Sequence, residues 1–313
     1  MSTHETPHKV SSSRDCPVID SRHAILRIAS READVGGLPI HRALPTRHRR
    51  TIGAWCFLDH AGPSILRHGQ GMRVGPHPHT CLQTFTWMLQ GEVHHRDSLG
   101  SDQVIRPGEV NLMTAGHGIS HTEESLDSAG GLHAAQLWIA LPWTQRDIEP
   151  RFDHYPELPK WQRDGASFTL LVGAVEGQRA PTLTFSEIVA LDIQPAGNQA
   201  IAPLSLTLEA DFEYGLMVLE GEAALDGERF VVDELAYLGR GRDSLTLDLP
   251  ADSRVLLIGG APLTDEILMW WNFVGHSREA IIQAQRDWES AAARFGTIPE
   301  WQGERLRAPP LPW

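Results

Sequence analysis

A strand-and-turn segment that occurs twice constrains this chain more than any other feature. Trp87-Met88-Leu89-Gln90-Gly91-Glu92-Val93 is matched by Met217-Val218-Leu219-Glu220-Gly221-Glu222-Ala223, and Gly108-Glu109-Val110 is matched by Asp233-Glu234-Leu235 at nearly the same offset. Two matches in one order predict a duplicated β-domain, and 313 residues accommodate two modest domains. The surrounding sequence reads the same way. Gln83, Phe85, Trp87 and Leu89 alternate with Leu82, Thr84, Thr86 and Met88 up to a turn at Gln90-Gly91-Glu92, and His133 to Leu141 forms a second apolar run closed by Pro142. Strands are further expected at 167–174, 183–193, 214–220, 228–232, 244–249, 255–258 and 267–273, with a tight hairpin turn at Asp226-Gly227. The chain is therefore expected to be all-β, of sandwich or barrel type.

The expected organisation is a loose polar tail at 1–20, a first β-domain over 21–150, a second over 151–276, and a helix followed by a Pro-rich strap over 277–313. The stretch Trp143 to Gly165, rich in Pro, Asp, Glu and Arg, reads as the inter-domain linker. The helix is expected over Ser277 to Phe295, with Ser277 as N-cap, Glu279 in the positive first turn and Gly296 after the last turn. Ile281, Trp288 and Phe295 repeat every seven residues on it and mark a buried face. The strap is expected to dock through its tryptophans.

Composition excludes several function classes. A formal charge of −13 argues against a nucleic-acid surface. No apolar run follows Met1, and the longest apolar stretch, around Ile267 to Val274, is too short to cross a bilayer. Cys16, Cys56 and Cys81 are few, odd in number and scattered, which predicts a reducing, cytoplasmic setting without a disulfide framework. Histidine is skewed: of 16, all but His276 lie at or before His154. The chemistry is expected in the first half.

The candidate chemistry sits in two short pairs. In His77-Pro78-His79 the imidazoles are two residues apart, and on a strand they point to the same side. In His121-Thr122-Glu123 one imidazole and one carboxylate repeat that geometry. An isolated His-x-His pair in a histidine-rich region is commonly a solvated loop. Two such pairs on facing strands, inside a glycine framework, can instead surround a divalent cation with three nitrogens and one oxygen. Without a cation, four such groups converging in an apolar interior would cost several kcal/mol.

The framework carries a resemblance. Gly71, five residues, His77-x-His79, then Gln83 and Gly91 looks like the first cupin motif, and Gly108, five residues, then Thr114-Ala115-Gly116 leading to His121 resembles the second. The wording GPHPH, GEVHHRDSLGS, IRPGEVNLMTAGHGISHTE and WWNFVGHSREAI is similar to that of the pirin family, over about Ile25 to Trp288. The resemblance implies a bicupin, two tandem cupin-type β-barrels, with one iron-type metal bound by His77, His79, His121 and Glu123 in the first and none in the second. In ungapped register with the first half, Thr207 and Glu209 stand for the His-x-His pair, and Thr246 and Asp248 stand for His121 and Glu123. Two residues depart from the family's pattern. Gln83 stands where some members carry glutamate, and glutamine cannot act as a general base. His117 stands where arginine is common, as a candidate neighbour of the metal site or a residue lining its mouth.

Several other residues are weighed beside these. His95 with Asp97 is expected to make a structural hydrogen bond, and His60, His68 and His133 are core, loop or near-site residues. Cys81, read as strand, would face the ligands as a thiolate or as a small buried hydrophobe. Phe85 and Trp87 are core or cavity aromatics. Ligand type admits Fe(II), Zn, Mn, Ni or Cu, with Fe(II) preferred through the resemblance. Four protein ligands close a tetrahedral zinc site, whereas octahedral Fe(II) keeps two positions free. The resemblance thus implies a metal-dependent dioxygenase of the quercetin 2,3-dioxygenase type, taking a flavonol-like substrate and O2. The alternative is an iron-dependent redox-sensing regulator acting through a protein partner. An open pocket over the metal would favour the first and a sealed metal the second.

Overall fold

The computed structural model describes residues 9–16, 24–65, 71–126, 131–299 and 301–313. The expected strands form two units of the same design, each a seven-stranded sheet paired with a four-stranded one. In the first unit the large sheet runs Arg31–Val35, Leu38–Leu44, Trp55–Ser64, Leu132–Ala140, Leu82–Gln90, Val110–Thr114 and Arg151–Tyr155. In the second it runs Lys160–Arg163, Ala166–Val172, Ile188–Pro195, Arg254–Gly260, Glu213–Glu220, Glu234–Gly239 and Leu26–Ala29. The small sheets also share one order. Arg73–His79, Ile119–Ser125, Val93–Asp97 and Asp102–Ile105 form one, and Ile201–Thr207, Ser244–Leu249, Glu222–Leu225 and Glu228–Val231 form the other. The chain is a mostly-β bicupin.

The large sheets pack on each other through one face each and close the two cupin interiors with the other. Along Leu82–Gln90, Phe85 and Trp87 enter a core shared with Leu219, Leu256 and Ile258, while Met88 faces the first cupin's interior. Each such apolar side chain stabilises by about 1.5–3 kcal/mol when buried. The contact is close: at Gly215 an added Cβ would lie 2.4 Å from Ile52 Cδ1. Polar groups tie the halves at the edge. His60 Nδ1 lies 2.7 Å from Asp233 Oδ1, His60 Nε2 lies 2.7 Å from His133 Nε2, and His133 Nδ1 lies 3.3 Å from Glu220 Oε1. Burial pushes His60 below its ordinary pKa, and the His133 contact lowers that of Glu220.

Several sequence expectations are corrected. The stretch 143–165, expected as a linker, carries two strands: Arg151–Tyr155 pairs with Val110–Thr114, and Lys160–Arg163 pairs with Ala166–Val172. Leu26–Ala29, expected in the first domain, completes the second large sheet through Glu234–Tyr237. In the tail, Ser11–Ser12 pairs with Leu268 and Met269, while 1–8 and 17–20 lie outside the described residues, as does His68. The strand expected over 183–193 begins at Ile188. The one expected over 267–273 is a hairpin, Leu268–Trp270 with Phe273–Gly275, because Trp271 takes φ +53 at the turn.

The helix covers Arg278–Glu289, shorter than expected, and Ser277 caps it by accepting from the Ala280 N–H. Ala291 at φ +55 ends it, with Ala292 N–H bonding back to the Asp287 carbonyl in the manner of a Schellman cap. Phe295 falls in a separate 3₁₀ turn and still meets Trp288 edge-on at 5.5 Å. The strap docks on the first cupin: Leu306 N–H donates to the Pro76 carbonyl, and Arg73 stacks on Trp301.

The inward residues differ between the cupins. His77 pairs across the sheet with His121, and Glu123 with His95. The corresponding pairs in the second cupin are Leu206 with Leu245 and Leu247 with Leu225, and Leu208 follows where His79 stands. All five leucines are buried in the second core. The ungapped register was therefore one residue out: Thr207, Glu209 and Thr246 are exposed and Asp248 is half-buried. A one-residue shift exchanges the two faces of a strand.

A candidate metal centre in the first cupin

His77 and His79 lie at the end of Arg73–His79, and His121 and Glu123 lie on the antiparallel neighbour Ile119–Ser125. Strand periodicity turns all four inward. The turn before His121 depends on Gly116, whose φ of +50 and 1.8 Å clearance to the Ile148 carbonyl at a built Cβ admit no side chain. Donor atoms of His77, His79 and His121 lie within 4.8 Å of one another, as do those of His95, His121 and Glu123. His77, His79 and His121 have 0% of their surface exposed, and Glu123 has 4%.

Backbone carbonyls orient two of the rings. His77 Nδ1 lies 2.9 Å from the Gly75 carbonyl and His79 Nδ1 lies 2.9 Å from the Asn272 carbonyl. Donation from each Nδ1–H leaves a lone pair on Nε2. His79 Nε2 then stands 3.1 Å from His121 Nε2, whereas His77 Nε2 and Glu123 Oε2 are buried with no hydrogen-bond partner among the described residues. Burial pushes His77 down to about 3 and His79 and His121 well below their ordinary range, so the rings are neutral. Burial raises Glu123. Converging lone pairs and an orphaned carboxylate oxygen form an arrangement that a bound divalent ion would stabilise, and the donor set fits one.

His95 stands closer than its sequence reading suggests. Its Nε2 meets Asp97 at 3.0 Å, the expected bond, and its Nδ1 lies 3.3 Å from His121 Nδ1, with Phe152 stacked at 4.4 Å. The i, i+2 spacing of His95 and Asp97 was the available signal. Asn272 was missed, since nothing local links residue 272 to His79. Its carbonyl holds His79, and its buried side-chain amide has no partner among the described residues.

Gln83 is turned away from the cluster. It shares the face of Phe85 and Trp87, and its Nε2 donates to Thr114 Oγ1 at 3.0 Å. His117 is half-buried beside a cavity of about 350 Å³ between the Thr80-Cys81 turn and the helix, with Nε2 3.1 Å from Glu149. Cys81 occupies that turn at φ +57 rather than a strand. It packs with Cys56, Phe57 and Leu82, and burial pushes its thiol up to about 12. It behaves as a small hydrophobe. His60 and His133 belong to the inter-cupin contact, and Phe85 and Trp87 to its core.

Comparison with known proteins agrees with this architecture. The Pirin family model matches residues 37–139, and the model of the pirin C-terminal cupin domain matches residues 196–296. A Pseudomonas aeruginosa protein named "Putative quercetin 2,3-dioxygenase PA1205" is 57% identical over 314 residues, covering 100% of this chain and 98% of that one. Human pirin is 25% identical over 296 residues, covering 91% and 98%. Among solved structures, quercetin 2,3-dioxygenase from Acinetobacter baumannii superposes with a TM-score of 0.89 at 47% identity, covering 92% of this chain and 96% of that one. With both cupins matched in order and a relative similar along its whole length, the chain belongs to the pirin family.

Proposed function

We propose that His77, His79, His121 and Glu123 bind one divalent metal ion, Fe(II) in first place, and that the chain is a dioxygenase acting on a flavonol-like substrate with O2. The observation that carries the metal is the buried donor cluster, with its two unpartnered atoms, His77 Nε2 and Glu123 Oε2. The substrate class is supported by the likeness to proteins named as quercetin 2,3-dioxygenases. Zinc, manganese, nickel and copper suit the same donors. When bound, the ion would supply Lewis acidity that lowers the pKa of a coordinated hydroxyl.

The protein's own residues define the rest. The carbonyls of Gly75 and Asn272 hold two imidazoles in one tautomer. His95, bonded to Asp97, buttresses His121. Trp138, edge-on to His79 at 5.1 Å, and Phe152 supply an apolar wall that keeps water from the cluster. Gln83 is neither a base nor oriented to the site, so the substrate's proton leaves without its help. A second reading, a metal-dependent regulator, is favoured by one observation: the three histidines are fully buried.

The test is an anaerobic titration of metal-quantified protein with quercetin, followed by admission of air. A shifted flavonol absorbance, then turnover with carbon monoxide release in proportion to metal content, is expected. Metal-loaded protein that neither shifts nor consumes quercetin would transfer the assignment to the regulator.

A further inference from the structure

The second cupin is not simply a filled copy of the first. Its interior opens into a cavity of about 250 Å³ at the end of the strand bearing Leu206 and Leu208. Its walls include Leu191, Leu206, Leu208, Leu257 and Tyr214, all part of the second core, with Trp161 stacked on Phe168 at 5.1 Å as one side. The hairpin Ala174–Val175 with Gln178–Arg179 forms a lip, turning through Glu176 at φ +50 and Gly177 at φ +76. Glu176 is fixed there by Trp161 Nε1 at 3.2 Å and Arg163 at 3.0 Å. Glu209 stands at the same rim.

From these residues we infer that the second cupin is a binding site for a small uncharged aromatic molecule bearing a hydrogen-bond acceptor. Three features select that class. The walls are aliphatic and aromatic, as in ligand pockets generally, and the volume admits one ring or a fused pair. A charged ligand would lose its hydration against these walls, and Glu209 at the rim further opposes an anion, Glu176 being paired with Arg163. Tyr214 is 3% exposed, and its hydroxyl accepts from the Glu209 N–H at 2.9 Å. Tyr214 lines the cavity and its own proton has no acceptor among the described residues, so the inference assigns that proton to the ligand's acceptor. The site lies in the cupin that lacks the metal donors and does not depend on the activity proposed above.

Acetophenone, benzoate and toluene are the probes, titrated calorimetrically into the full-length, metal-loaded protein. Saturable binding of acetophenone is expected, with benzoate at least about tenfold weaker because its carboxylate would lose its hydration against the apolar walls. Val175→Trp, which fills the lip, should abolish binding, and His79→Ala, in the other cupin, should leave it intact. Tyr214→Phe should weaken acetophenone by about threefold to tenfold and leave toluene unchanged. That split separates a lost hydrogen bond from a damaged fold. No saturable binding, binding indifferent to Val175→Trp, or binding lost in His79→Ala would overturn the inference.

Discussion

The two cupins share one strand order and oppose each other in what they bury. Five inward positions are His77, His79, His95, His121 and Glu123 in the first, and Leu206, Leu208, Leu225, Leu245 and Leu247 in the second. The same strand order therefore tolerates either a cluster of imidazoles and a carboxylate or an apolar core. The difference has an energetic sign. The second cupin gains from every leucine it buries, whereas the first buries polar atoms with no partner among the described residues, a cost that the proposed ion would offset. A fold that could be stabilised by hydrophobic packing alone has been left incomplete on one side. That side is the one for which metal binding is proposed.

The comparison can be broken most sharply at the ligands. His79→Ala should reduce bound metal from about one ion per chain to near zero and take turnover down by at least about a thousandfold, the order expected when a metal is lost from its reaction. Metal analysis beside far-UV circular dichroism checks this, and stoichiometric metal in the variant would refute the ligand set. Exchanging one position between the cupins tests the energetic argument. In chelator-treated protein, Leu247→Glu should destabilise by about 3–5 kcal/mol, since it buries a carboxylate with no cation. Glu123→Leu should stabilise the same metal-free protein by about 1–2 kcal/mol while abolishing metal binding. Urea unfolding reads both, and equal signs would defeat the comparison.

Acid should act on the histidine-bearing half. Burial lowers His60, and His77 to about 3, below the ordinary histidine value of about 6.5. Below that value the unfolded chain takes up protons the folded chain refuses. Stability of the metal-free protein is therefore full above about pH 6.5 and falls as pH drops through it, by up to about 1.4 kcal/mol per unit for each such group. Urea midpoints at pH 7.5 and 5.5 measure the loss, and an unchanged midpoint would contradict it. The smallest effect concerns the helix, which packs beside the first cupin and has no counterpart on the second among the described residues. Ser277→Ala removes its N-cap and should cost about 1 kcal/mol, visible as a lowered melting temperature with metal content unchanged.

Local pattern made much of this molecule legible. Alternation and turn residues marked most strands, and Asp226-Gly227 marked a hairpin whose two residues take φ +48 and +85. Ser277 marked the helix start. The period of two placed His77 with His79, and His121 with Glu123, on common faces, and the repeated segment announced two related units. These features depend on neighbours within a few residues, so the sequence by itself determines them.

Tertiary structure decided what depends on distant partners. The inward face of the second cupin was misjudged by one residue, because pairing register is chosen by the burial of Leu206, Leu208, Leu245 and Leu247 against the opposite sheet. Leu26–Ala29 joins the far sheet because its edge partner, Glu234–Tyr237, lies some two hundred residues away. Gln83 faces the inter-cupin core because its strand serves both interiors, and His79 takes its orientation from a carbonyl at residue 272. Contacts of that separation leave no periodic trace in the chain. They exist only once the two sheets have packed, since it is the packing that brings the partners within reach.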